Sequence, residues 1–416
     1  MKTAAIIAEY NPFHNGHLYQ LNKIKEITDS DFIISIMSGN FMQRGVPALL
    51  DKYSRGLMAI SSGIDLAIEL PLPYACGSAG DFAEGAVRLI NELGVADYLC
   101  FGAECDNLEL LMKIAEIITS EPADYKNILR DAMKSGHSYP AARNKAIISC
   151  CPEIPADELT DILTSPNNIL AIEYLSALIK TNAKLKPIII RRTAADYHDT
   201  SISGNICSAN AIRSLLADRQ REMSQKDLDI IKAAMPSASY NMISEAYRQN
   251  RIIFPDDMMS ILRYRLTEWN SYSLPYDMDE NLANRIKNTD MRCSLNDFIG
   301  SIKAKNYTYS KISRALLHLI LDISTDDMLE FKDNGFIYYG NILGFRKSAT
   351  GLIKAINHNS SIPLINKKAT WNNFTEKCAK AMAEKELLAS NIYNNLVYEK
   401  SGIRLPGEFI TTTPFI

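Results

Sequence analysis

No apolar run in this sequence approaches the ~18–20 residues that a membrane-spanning helix needs, so a membrane protein is not indicated. Internal repeats and low-complexity stretches are absent too, which leaves out a repeat array or a compositionally disordered chain. Cysteine is sparse: eight in 416 residues, with no CxxC pair. Cys150 and Cys151 are vicinal, and Cys100 and Cys105 stand five apart. That pattern excludes a disulfide scaffold and reads as reduced thiols in a cytoplasmic protein. Neither sign of charge is in large excess: the formal net charge of −3 says nothing, as a total, about partners.

What is present is ordinary globular composition, 47% hydrophobic and 22% charged, in a chain long enough for two or three domains. The run Ala4-Ala5-Ile6-Ile7-Ala8 is too short for the apolar core of a signal peptide and reads as a first β-strand. Further strands are expected at Phe32–Met37, Ile64–Leu70, Asp97–Phe101 and Pro187–Arg191, the first spanning Thr3–Glu9. Amphipathic helices fall between them: Leu18–Thr28, Lys52–Ser62, Gly80–Leu93, Leu108–Ser120, Asn167–Lys180 and Ala209–Ala217. This alternation predicts βαβ crossovers and a parallel sheet covered on both faces, with ligands beyond its C-terminal edge. From Ser224 to about Ser324 the pattern turns helical (Lys226–Ala234, Asp256–Glu268, Asn281–Asn288, Tyr309–Ile323). Strand-like pieces follow at Phe336–Tyr339 and Ile362–Ile365, then a last helix from Glu376 to Leu396. The expected division is 1–220, α/β, and 221–416, largely helical.

The strongest local signal is Glu9-Tyr10-Asn11-Pro12-Phe13-His14-Asn15-Gly16-His17, placed after the first strand and before a helix. Glycine between two imidazoles lets backbone and side chains approach a phosphate closely, and a helix N-terminus adds positive potential. Two histidines there can donate hydrogen bonds to a phosphate chain whose charge grows during displacement. Pro12 fixes the turn that carries His14 out of the strand. A zinc site is not indicated, because no carboxylate or cysteine cluster nearby completes a ligand set; magnesium carried on ATP needs few protein ligands. A second piece, Ser208-Ala209-Asn210-Ala211-Ile212-Arg213, offers a hydroxyl at a helix start and an arginine five residues on. By itself it reads equally as a plain helix cap.

Together these motifs resemble the HxGH and ISSTxIR signatures of the nucleotidyltransferase superfamily, whose members activate a substrate by its attack on the α-phosphate of a nucleotide. The segments Met37–Gly45 (MSGNFMQRG), Asp65–Pro71 (DLAIELP), Phe101–Glu104 (FGAE), Ser165–Leu170 (SPNNIL), Asp196–Asp199 (DYHD), Asn306–Ser310 (NYTYS) with Arg314, and Tyr339–Phe345 (YGNILGF) are similar to the bacterial tRNA(Met) cytidine acetate ligase family. The resemblance covers most of the chain. It implies a Rossmann-like parallel-sheet nucleotidyltransferase domain followed by a largely helical C-terminal region. It also implies a ligase that turns ATP and acetate into acetyl-adenylate and pyrophosphate. The acetyl group would then pass to N4 of the wobble cytidine of elongator tRNA(Met), giving N4-acetylcytidine and AMP. The helix start here reads SANAIR, so Ala209 stands where the superfamily signature has a hydroxyl residue.

The resemblance implies an ATP loop of Ile7, Ala8, Glu9, Tyr10, Asn11, Pro12, Phe13, His14, Asn15, Gly16, His17, Leu18, Tyr19 and Gln20, with His14 and His17 catalytic. Gly102 is expected to follow a strand and leave room for adenine or ribose, or to be a plain turn glycine. Asn167 reads as a nucleotide contact or a helix start. Arg192 is expected at the nucleotide end of the sheet, with its neighbour Arg191 on the opposite face. Ser208 and Arg213 are expected to meet phosphate. His198 reads as a loop-ordering residue rather than a base, and Arg44 and Lys52 as contacts to triphosphate or RNA, or as a solvated loop. Between Ala283 and His318 seven basic residues (Arg285, Lys287, Arg292, Lys303, Lys305, Lys311, Arg314) face only Asp290 and Asp297. With Tyr307 and Tyr309 among them, this segment is the expected tRNA-binding surface, or else a solvated helix face over core tyrosines. Two other functions fit the residues alone: an adenylyltransferase acting on a small molecule, and a tRNA-binding protein without catalysis.

Overall fold

The computed structural model describes residues 1–192, 208–217, 224–270 and 273–416. Five strands form the expected parallel array: β1 (Thr3–Ala8), β2 (Phe32–Ser38), β3 (Leu66–Leu70), β4 (Tyr98–Ala103) and β5 (Lys186–Arg191). Two more, β6 (Gly340–Phe345) and β7 (Leu364–Ile365), complete one sheet in the order β5-β4-β1-β2-β3-β6-β7. β6 runs antiparallel to β3, and β7 lies parallel to β6. The helices that matter below are α1 (Asn15–Thr28), α2 (Lys52–Ser61), α3 (Ala79–Leu93), α4 (Pro166–Thr181), α5 (Ala209–Ala217), α6 (Gln225–Ala233), α7 (Tyr309–Leu321) and α8 (Lys377–Ser401).

The strands read as unbroken apolar runs because both faces of the sheet are buried. Alternate residues of β1 enter different cores: Ala4 and Ile6 meet α1, α2 and α5, whereas Ala5 and Ile7 meet α3 and α4. The second core continues without a break into the later helices, taking in Phe298, Leu317, Phe331 and Met382. Residues 221–416 therefore contribute to both apolar clusters of the sheet, and they supply its β6 and β7. The strand expected at Phe336–Tyr339 lies a few residues later, over Gly340–Phe345. Its two glycines and Asn341 interrupt the hydrophobic pattern, and at Gly344 the strand packs closely against α2. A Cβ on Gly56 of α2 would fall 2.7 Å from the Leu343 carbonyl, and one on Gly344 would press on Ile60. Helices at Ala123–Lys134, Tyr139–Cys150 and Ala156–Thr164 were not expected from the sequence; the first is mostly exposed, and the first two carry only short apolar stripes. Among the described residues no helix is long and apolar enough to cross a membrane.

The chain runs β1, β2, β3 outward in one direction and then returns to the other side of β1 as β4. The order thus reverses between β1 and β4. Crevices at the C-terminal edge of such a reversal are where open parallel sheets bind ligands, and the HxGH loop leaves β1 there.

Candidate active site

β1 ends at Ala8, and the chain turns through Tyr10, whose φ of 46° is left-handed, and a cis Asn11–Pro12 peptide. Tyr10 and Phe13 bury their rings against each other with centroids 4.8 Å apart, which anchors the turn in the core below. His14 is the N-cap of α1. Its Nδ1 accepts from Gly16 N at 3.0 Å, while His17 Nδ1 accepts from His14 N at 3.2 Å. The two imidazoles stack with centroids 3.8 Å apart.

This reciprocal cap fixes the chemistry of both rings. A backbone N–H can only donate, so each Nδ1 carries a lone pair and each neutral ring holds its proton on Nε2. Burial, with the charges of Arg192 and Arg213 beside it, pushes His14 down to about 3. His17 is also lowered well below the ordinary imidazole value, by burial first and then by His14 and Arg192. Two neutral Nε2–H donors therefore persist throughout the physiological range. The first backbone amides of α1 are already used: Asn15 N donates to Ala234 O at the end of α6, Gly16 N to His14, and His17 N to His14 O. The helix end thus contributes potential, and the imidazoles contribute the hydrogen bonds.

The depressed values have a consequence for stability. An unfolded chain binds protons at these histidines near pH 6.5, and the folded chain does not bind one at His14 until about pH 3. Stability is therefore expected to be complete above pH 6.5 and to fall as the pH drops from there toward 3. Urea denaturation of His14→Gln at pH 7 and pH 5 should give a smaller loss between the two than wild type; an equal loss would refute the linkage.

The other expected residues arrive from separate elements. Gly102 lies inside β4, not after it, paired with Ile190 of β5. A Cβ there would meet Arg192 Cγ at 3.4 Å and Gln20 Nε2 at 3.8 Å, so Gly102, Arg192 and Gln20 adjoin. Arg192 follows β5, its amide donating to Ala103 O at 3.0 Å, and Arg191 pairs instead with Asp106 at 3.0 Å in solvent. Ser208 is buried and caps α5, its Oγ accepting from Ala211 N at 3.1 Å. That helix sends Arg213 to the HxGH loop, where Nη1 donates to Asn11 O at 2.8 Å and Nη2 to Asn210. The structure thus gathers His14, His17, Gly102, Arg192 and Arg213 at the sheet's reversal point.

Similarity to known proteins identifies the family. A sequence profile of the HIGH Nucleotidyl Transferase family matches residues 1–404. A tRNA(Met) cytidine acetate ligase of Clostridium novyi is 38% identical, with 91% of this chain and 92% of that protein aligned. One from Acetivibrio thermocellus is 36% identical, with 99% of each aligned. The chain belongs to the tRNA(Met) cytidine acetate ligase family. The crystal structure of Thermotoga maritima TmcAL in its apo form superposes over 100% of both chains with a TM-score of 0.90 at 28% identity. A second crystal form, bound with alpha-thio ATP, gives a TM-score of 0.87 at 26% identity.

Several of the other expected residues have partners within the protein. Asn167 is in the first turn of α4 and donates to Glu104 Oε1 at 2.5 Å, while Asn168 Oδ1 accepts from the Glu104 and Cys105 amides. The pair ties the exit of β4 to α4. Lys52 is not on a solvated loop. It is buried, with Nζ 2.9 Å from both Glu69 oxygens and 3.0 Å from Glu408, because paired carboxylates offset the cost of burying its charge. Arg44 is exposed on the turn between Met42 and Val46. His198, Asp196 and Asp199 lie outside the described residues. In the basic segment Tyr307 is buried, its hydroxyl 2.6 Å from Asp279, which leaves no ring face for a base. Arg314 is also buried and forks onto Asp277 at 2.7 and 3.3 Å, and Arg292 pairs with Asp290 at 3.0 Å. Lys303, Lys305 and Tyr309 are exposed, and Lys311 stands 3.7 Å from Asp279. Among the described residues no cluster of three or more His, Cys, Asp or Glu side chains is placed to hold a metal.

Sequence reasoning missed Arg55, fully buried beneath the HxGH loop, and the Lys52–Glu69–Glu408 cluster. Their partners lie up to 356 positions apart in the chain, beyond any local pattern.

Proposed function

We propose that this protein is an ATP-dependent ligase that acetylates N4 of the wobble cytidine of elongator tRNA(Met). The observation that carries the reading is the pair of neutral Nε2–H donors beside Arg192 and Arg213 at the sheet's reversal point. The names of its relatives supply the substrates. An acetate oxygen attacks the α-phosphorus of ATP, the bond to the bridging oxygen breaks, and pyrophosphate leaves as acetyl-adenylate forms. The imidazoles and guanidiniums meet charge as it grows on the phosphates, so the enzyme acts by positioning and charge stabilisation and needs no protein nucleophile. The cytidine N4 then attacks the acetyl carbonyl, AMP departs, and the nitrogen loses a proton. Magnesium would travel on the nucleotide's phosphates, since it needs few ligands from protein.

ATP–pyrophosphate exchange with acetate and tRNA omitted in turn tests the reading. Exchange that requires acetate but not tRNA supports it. Exchange supported by neither, with a nucleotide retained on some small-molecule product, would replace it with adenylyl transfer.

The tRNA surface is proposed to include Lys303, Lys305, Lys311 and Tyr309. Double reversal, Lys303→Glu with Lys305→Glu, should weaken tRNA binding and make its log–log salt dependence shallower by about two. Acetate-dependent exchange should stay near wild type, because these residues lie outside the nucleotide site. Collapse of exchange in that variant would refute the division of labour, and unchanged binding would place the RNA surface elsewhere.

A further inference from the structure

Parallel strands that part at their C-terminal ends leave carbonyl oxygens without ladder partners. Here β1 and β2 stay in register to Ala8 and Met37 and then diverge, β1 into the left-handed turn at Tyr10 and β2 into Gly39. One side chain collects the stranded carbonyls. Arg55 on α2 is fully buried; its Nη1 donates to Glu9 O at 2.6 Å, Nη2 to Ser38 O at 3.0 Å and to Gly39 O, and Nε to Leu50 O at 3.0 Å. Four neutral acceptors from three separate stretches of backbone thus close on one planar guanidinium.

The bond to Glu9 matters most for the site, because Glu9 begins the five-residue path to His14. The rest of that path is held by Leu49 N on Asn11 Oδ1 at 2.8 Å and by Arg213 on Asn11 O. The Glu9 carboxylate also accepts from Gln43 N at 2.8 Å. Arg55 is therefore the inner clamp and Arg213 the outer one. A lysine has a single nitrogen and cannot span the gap between two strand ends and the start of α2.

We propose that Arg55 is a positioning residue of this enzyme: it fixes the exit of β1 against β2, and so sets where His14 and His17 present their Nε2–H groups to the nucleotide. The proposal rests on the reading of the site as an ATP site. It acts through the loop, without touching substrate, so its loss should appear in turnover more than in ATP binding. A displacement near 1 Å at a reacting centre costs on the order of a hundredfold in rate.

Arg55→Met and Arg55→Lys test this in the full chain, each checked for a cooperative melt. The expected result for a folded variant is a kcat for acetate-dependent ATP–pyrophosphate exchange lower by on the order of a hundredfold, with a much smaller change in KM for ATP. Nitrogen-15 spectra of the imidazoles give a readout independent of turnover. In wild type both rings should be Nε2–H tautomers, and in the variants the Nδ1 caps should loosen and the rings average between tautomers. Guanidinium ion should restore part of the lost rate to Arg55→Ala, whereas urea at equal concentration should not. Exchange within about threefold of wild type in a folded variant, or unchanged imidazole spectra, would overturn the proposal. So would failure of all three variants to fold, which would make Arg55 a residue of the fold alone. If wild type itself shows no acetate-dependent exchange, the ligase reading fails instead, and the imidazole spectra alone decide the role of Arg55.

Discussion

His14→Ala and His17→Ala are each expected to lower acetate-dependent pyrophosphate release by about one to three orders of magnitude, the scale of a lost donor to developing charge. The fold should survive, since the lost cap costs only about 1 kcal/mol. The tautomers allow a sharper test. Glutamine places its amide nitrogen where Nε2 stands, and asparagine places it where Nδ1 stands. His14→Gln and His17→Gln should therefore keep more activity than the asparagine variants, because Nε2 is the donor and Nδ1 accepts from backbone. Asparagine matching or exceeding glutamine would show that the donor had been assigned to the wrong nitrogen. Near-normal turnover in both alanine variants would remove the phosphate-binding role altogether.

Arg213→Lys is expected to weaken binding of a non-hydrolysable ATP analogue nearly as much as Arg213→Ala, by on the order of ten- to a hundredfold, the range for charged hydrogen bonds. The guanidinium already spans Asn11 O and Asn210, holding the loop while its charge stands beside His14. An ammonium supplies the charge without the planar fork. Titration calorimetry measures the difference. Full affinity in the lysine variant would mean that charge alone matters at this position and that the bond to Asn11 is incidental.

These two effects differ in how far the sequence foretold them. The HxGH motif is local: a strand, a turn and a helix start within fifteen residues already say where the histidines stand, and β1 to β5 appear where the apolar runs put them. The SANAIR helix also lies where expected, and it carries Arg213 to the loop. The tautomers could not be read in advance, because they depend on which backbone amides meet each Nδ1 once the loop has closed.

The basic segment and the loop after β2 show the opposite limit. Seven cations against two acids looked like an RNA surface, yet Arg314 is spent on Asp277 and Tyr307 on Asp279, both within the helical packing. Lys52 read as a contact to triphosphate or RNA, or as part of a solvated loop, and is a buried partner of Glu69 and Glu408. Composition along the chain gives the charge of a side chain but not what stands opposite it.

By itself the sequence determined the class of fold, the parallel order implied by alternating strands and helices, and the two motifs that bracket the candidate site. These follow from hydrophobic periodicity and turn chemistry, which act over a few residues. The tertiary structure alone decided that β6 and β7 return to extend the sheet, which imidazole nitrogens donate, that Lys52 and Arg314 are internal, and that Arg55 gathers the ends of two strands. Each of those depends on groups distant in sequence meeting in space, where burial makes an unmatched charge or carbonyl costly and so selects its partner.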